Sequence, residues 1–239
     1  MNSVSPLGRL IEQHYADAAS AVAALVNQVT AQLGAALAAR GVASLIVSGG
    51  KSPIAFFNAL SRQHLDWTNV WISLADERWL EPTSADSNAN LVLEHLRVAE
   101  AAVAHFVPLK SSAATPQAGL ADSMAMLAVI PQPFDVVVLG MGEDGHTASL
   151  FPGADGLAAA LDANNPAPLV AIDPSSAPYP RISMTLSALL NSRQLFLPLH
   201  GASKRAVYRN AAQETSCARY PITAFLHQKT TPLTVLLSD

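Results

Sequence analysis

Apolar positions along the chain change period several times, and the changes mark out its elements. From Leu7 to Arg40 the stretch LGRLIEQHYADAASAVAALVNQVTAQLGAALAAR is alanine-rich with helical spacing, predicting one long helix or two consecutive ones closed by Gly41. SLIVSGG is a short β-branched run ended by glycines, and KSPIAFFNALSRQ then predicts a helix with Pro53 in its first turn. This order of strand, turn and helix recurs. NVWISLADERW precedes NANLVLEHLRV, HFVPL precedes QAGLADSMAMLAV, FDVVVLGMG precedes HTASLF, and LFLPLHG precedes SKRAVYRNAA. Near-continuous apolar strands alternating with helices predict a mainly parallel sheet covered by helices on both faces. The Pro-rich stretch DANNPAPLVAIDPSSAPYPR predicts loops around one more short strand, LVAI. With no internal repeat or low-complexity linker, residues 1–239 are expected to form a single α/β domain.

Composition narrows the function classes. Half of the residues are hydrophobic and 13% are charged, which excludes a disordered chain. A net charge of −4 argues against a nucleic-acid-binding face, so an anionic ligand has to be held by a local pocket. No uninterrupted apolar run reaches the roughly 18 residues of a membrane span, so no membrane partner is expected. The single cysteine, Cys217, cannot form an internal disulfide and reads as an inert thiol. With no signal peptide in MNSVSPLGRL, the expected location is the cytoplasm.

In parallel sheets of this kind ligands sit beyond the carboxyl ends of the strands. Four stretches fall there: SGGKSP, ADERW, GMGEDGH and HGASK. A helix opening after Gly49 and Gly50, through Lys51 and Ser52, offers unpaired backbone N–H groups to a phosphate. It is not a nucleotide-binding P-loop, because that motif needs glycine where Leu45 stands; a ligand-free tight turn is the competing reading. Asp76, Glu77 and Arg78 end an apolar strand and read either as a solvated rim or as an anion site, with the Arg78 fork gripping phosphate and Asp76 orienting a neighbour. Gly140, Gly142 and Gly145 let backbone approach a ligand, and His146, at the start of the predicted helix HTASLF, has the ordinary pKa of a general base. Asp144 or Asp76 would set its tautomer. Arg181 and Lys204 are further cations at strand and helix ends, either solvated or gripping an anion. No zinc-ligand spacing accompanies His146, so no metal is expected, and the G-x-S-x-G elbow of serine hydrolases is absent. Ester hydrolysis here would proceed by activating water.

Taken together, SGGKSP at 48–53, ADERW at 75–79 and above all LGMGEDGHTASLFPG at 139–153 resemble the 6-phosphogluconolactonase family, with flanking elements that fit from about Leu7 to the C-terminus. The resemblance implies a Rossmann-like fold, a sugar phosphate lactone as substrate and no cofactor. It also implies a glycine loop, Gly49 and Gly50, that binds the phosphate, with Arg78, Arg181 and Lys204 helping to hold it and His146 as general base. Lys51 is a local departure, since Ser or Thr is frequent there. The related glucosamine-6-phosphate deaminases share the fold and similar motifs, but their ring opening uses a glutamate at the position that here holds Phe151. A non-catalytic sugar-phosphate sensor is the other alternative. Against it, the N-terminal segment lacks a basic cluster, and a sensor has no use for a base.

Overall fold

The computed structural model describes residues 3–4, 10–174 and 176–239. In chain order these form β1 (Ser3–Val4), β2 (Leu10–Tyr15), α1 (Ala18–Arg40), β3 (Ala43–Val47), α2 (Ile54–Leu60), β4 (Val70–Leu74), β5 (Asp76–Arg78), α3 (Asn88–His95) and β6 (His105–Phe106). They continue with α4 (Pro116–Leu127), β7 (Val136–Val138), α5 (Leu157–Ala160), β8 (Leu169–Ile172), β9 (Arg181–Met184), α6 (Leu186–Leu190), β10 (Leu195–His200), α7 (Ala202–Gln213), α8 (Thr223–His227) and β11 (Leu233–Ser238).

Among the described residues, one eight-stranded sheet runs in the order β1-β2-β11-β10-β7-β3-β4-β6 and is parallel except for the β1–β2 pair. Its central strands are buried along their whole length, as the near-continuous apolar runs ASLIV and VVV require of strands covered on both sides. Connections from β3 to β4 and from β10 to β11 run in opposite directions across the sheet. Right-handed crossovers therefore place α2 and α7 on opposite faces, and α1 packs beside α2. The order reverses between β3 and β7. The turns after these two strands, SGG and GMG, flank the crevice where open α/β sheets take their ligands.

Four features differ from the sequence reading. LIEQHY is a strand, not helix; it pairs in parallel with β11, while Leu7 to Arg9 of the expected helix lie outside the described residues. The helix begins only where alanine takes over, capped by Asp17, which accepts from the Ser20 amide at 2.7 Å, and closed by Gly41 at φ 73°. Although α1 is long and apolar enough to cross a membrane, Leu25, Val29 and Leu33 are buried in the core. Second, β11 is a further strand, fully buried between β2 and β10. Third, NVWISLADERW is two strands. Ala75 donates to Val47 of the large sheet and accepts from Met184, and the chain then leaves to join β8 and β9 in a small antiparallel sheet, which sets Arg78 opposite Arg181.

The fourth difference bears on the chemistry, because HTASLF is not a helix. Thr147 and Leu150 close a turn, Ala148 takes a φ of 48°, and the Gly142 amide donates to the His146 carbonyl at 2.9 Å. A helix would separate residues five apart around its axis, whereas the turn brings His146 and Phe151 face to face.

Candidate active site

Over the crevice lies a cleft of about 220 Å³ lined by Gly49, Gly50, Ser52, Asp76, Arg78, His146, Arg181 and Lys204. Of the residues expected from sequence, Lys51 is exposed and outside the lining, and Asp144 stands behind the histidine. Gly145, against Tyr220, and Glu77 also lie outside the lining, and the others reach the cleft.

At one end, the Asp144 carboxylate lies 2.6 Å from His146 Nδ1 and also accepts from the His146 amide at 3.1 Å. Burial pushes the Asp144 carboxyl up, but these hydrogen bonds and the histidine's charge outweigh it and hold the group below its ordinary range. A carboxylate at Nδ1 favours the tautomer with the proton there, leaving Nε2 as a lone-pair acceptor. Gly142 makes the pairing possible. A Cβ there would stand 2.2 Å from His146 Nδ1 and 2.6 Å from the Asp144 oxygen. Asp76, the other carboxylate considered as the histidine's partner, accepts instead from Ser149 Oγ and lies 3.9 Å from Arg181 Nη1.

The other end gathers cations from distant segments. Arg78 donates Nη1 to the Asp86 carbonyl, Arg181 donates Nη2 to the Pro178 carbonyl at 3.3 Å, and Lys204 Nζ reaches Ser52 Oγ at 3.3 Å. Among the described residues, Arg78 Nε, Arg181 Nε and Ser48 Oγ are buried with no protein partner. Burial pulls the Arg181 guanidinium below its ordinary range; Asp76 opposes this and the like charge of Arg78 adds to it. For Lys204 burial acts in the same direction, against the charge of Glu143. Buried donors left unpaired beside like charges are costly unless an anion meets them, so this end suits a phosphate.

Sequence reasoning missed the supports of the cation wall. Asp76 and Glu77 are buried rather than forming a solvated rim. Glu77 accepts from the amides of Arg78, Asn88 and Ala89 at 2.7–2.8 Å and from Ser87 Oγ at 3.1 Å, so its carboxylate sits against the start of α3. Burial raises its pKa against those hydrogen bonds. Asn88, which lines the cleft, donates to the Asp76 carbonyl at 2.9 Å and packs so close to Gly49 that a Cβ there would lie 1.9 Å from its Oδ1. The signal for both roles was the SNAN stretch opening a helix ten residues after the acidic pair. Among the described residues, no group of three or more His, Cys, Asp or Glu side chains is placed to hold a metal ion.

The family model for glucosamine-6-phosphate isomerases/6-phosphogluconolactonase matches residues 16–234. The 6-phosphogluconolactonase of Rhizobium meliloti strain 1021 is 44% identical over 212 residues, which cover 89% of this chain and 91% of that protein. The crystal structure of a 6-phosphogluconolactonase from Shewanella baltica OS155 superposes with a TM-score of 0.93 at 43% identity, covering 95% of this chain and 97% of that one. The 6-phosphogluconolactonase from Thermotoga maritima, at 21% identity and a TM-score of 0.80, shares the fold.

Proposed function

Because this chain belongs to the glucosamine-6-phosphate isomerase/6-phosphogluconolactonase family, we infer that its cleft hydrolyses 6-phospho-D-glucono-1,5-lactone to 6-phospho-D-gluconate in the oxidative pentose phosphate pathway. The observation that carries the lactonase reading is the pairing of Asp144 with His146 Nδ1 at 2.6 Å, in a cleft also lined by arginines whose Nε donors are unpaired among the described residues. The phosphate docks between Arg78, Arg181 and Lys204 and against the amides after Gly49, and this fixes the lactone carbonyl near the histidine. His146 Nε2 takes a proton from water as its oxygen attacks C1, and Asp144 stabilises the imidazolium that results. When the tetrahedral intermediate collapses, the C1–ring-oxygen bond breaks and the imidazolium returns its proton to that oxygen. A δ-lactone is an activated ester, so this sequence needs neither a covalent intermediate nor a cofactor. The cytoplasm is the expected site of this reaction.

Deaminase chemistry is disfavoured at Phe151, whose ring packs against His146 and offers no carboxylate. The test pairs two substrates. Freshly generated phosphogluconolactone, corrected for spontaneous hydrolysis, should be opened at enzymatic rates, and glucosamine 6-phosphate should yield no ammonia above background. The opposite result overturns the assignment.

A further inference from the structure

Phe151 lies outside the cleft lining but touches two residues that form it, His146 and Arg181. Its ring lies against the His146 imidazole with centroids 4.2 Å apart and planes inclined by 28°, and the Arg181 guanidinium carbon lies 5.1 Å from its centroid. The side chain is only 3% exposed and is packed on Ala154 and Ile172, an apolar cluster separate from the main core. Ile172 is paired with Arg181 across β8 and β9. One buried ring is thus held by the small sheet and presents its face to the histidine.

The geometry points to Phe151 as a positioning residue for His146, an inference that rests on the histidine being the base. A single hydrogen bond from Nδ1 to Asp144 fixes one edge of the imidazole but leaves rotation about that bond soft. The flat face of Phe151 removes this freedom by fixing the plane of the ring, and with it the direction of Nε2 into the cleft. Arg181 depends on the phenyl ring far less. Asp76, the Pro178 carbonyl and its own place in β9 also hold it, so losing one cation–π contact leaves its grip in place.

The role is tested with Phe151→Leu, which removes the flat face, and Phe151→Tyr, which keeps it, each assayed well below its unfolding midpoint. Misaligning a general base should lower kcat of Phe151→Leu by roughly ten- to a hundredfold, with KM and the Kd for 6-phosphogluconate nearly unchanged, while Phe151→Tyr stays close to the parent. In a His146→Ala background, Phe151→Leu should cost almost nothing further, because the group it aligns is gone. A purely structural role would cost the same in both backgrounds. The inference is overturned by a parent-like kcat for Phe151→Leu, by a loss confined to KM, by a Phe151→Tyr variant as impaired as Phe151→Leu, or by equal losses in the two backgrounds. Full turnover in His146→Ala alone would instead remove the base reading, so the two failures are distinguishable.

Discussion

The two ends of the cleft are built in different ways. On the proposed function, residues 142–151 supply proton transfer from one continuous segment, in which turns bring Gly142 and Asp144 against His146, and His146 against Phe151. The anion end is assembled from segments far apart in sequence: the turn after β3, Arg78 and Arg181 on facing antiparallel strands, and Lys204 at the start of α7. On that proposal, local turn geometry governs the base, and sheet topology governs the grip. Damage to the first should appear in the chemical step, and damage to the second in the capture of phosphorylated substrate.

The largest expected effect is at the base. His146→Ala should lower kcat by about 10²- to 10⁴-fold, the usual contribution of a general base, with little change in product affinity. At the other end, Arg78→Ala or Lys204→Ala should each remove charge-assisted hydrogen bonds of about 1.5–3 kcal/mol, a ten- to hundredfold loss in kcat/KM for the phosphorylated lactone. The smallest effect concerns the join between the glycine turn and the cation wall. In Gly49→Ala the new methyl meets Asn88, itself tied to the Asp76 carbonyl, so overpacking should cost roughly 1–3 kcal/mol of stability, read as a lower unfolding midpoint in urea. An unchanged midpoint would show that Asn88 yields without strain.

How much was legible in the sequence follows the same division. Strands such as ASLIV declare themselves because burial on both sides demands a near-continuous apolar run, and the four motifs fall at strand ends where topology gathers them. LIEQHY reads as helix in the sequence because the alanine-rich stretch beside it extends the helical signal across Asp17, and nothing local reveals its pairing with β11. HTASLF has the composition of a short helix, but Ala148 at φ 48° and the hydrogen bond between Gly142 and His146 impose turns. Sequence leaves the partner of His146 open between two carboxylates. It is Asp144, two residues away, because Gly142 clears the space, while Asp76 is occupied by Ser149 and Arg181. Glu77 reads as readily as a surface charge because the helix start it supports lies eleven residues further on.

The most direct test of the account is to measure kcat/KM on two lactones, 6-phosphogluconolactone and unphosphorylated glucono-1,5-lactone, for the parent, His146→Ala and Arg78→Ala. The parent should already use the unphosphorylated lactone poorly, since binding energy remote from C1 is missing. His146→Ala should lose activity on both lactones by similar factors. Arg78→Ala should lose roughly ten- to a hundredfold on the phosphorylated substrate and little on the other. Equal losses on both lactones for Arg78→Ala, or a His146→Ala protein that still turns over either lactone at the parent rate, would contradict a cleft with a base at one end and a phosphate grip at the other.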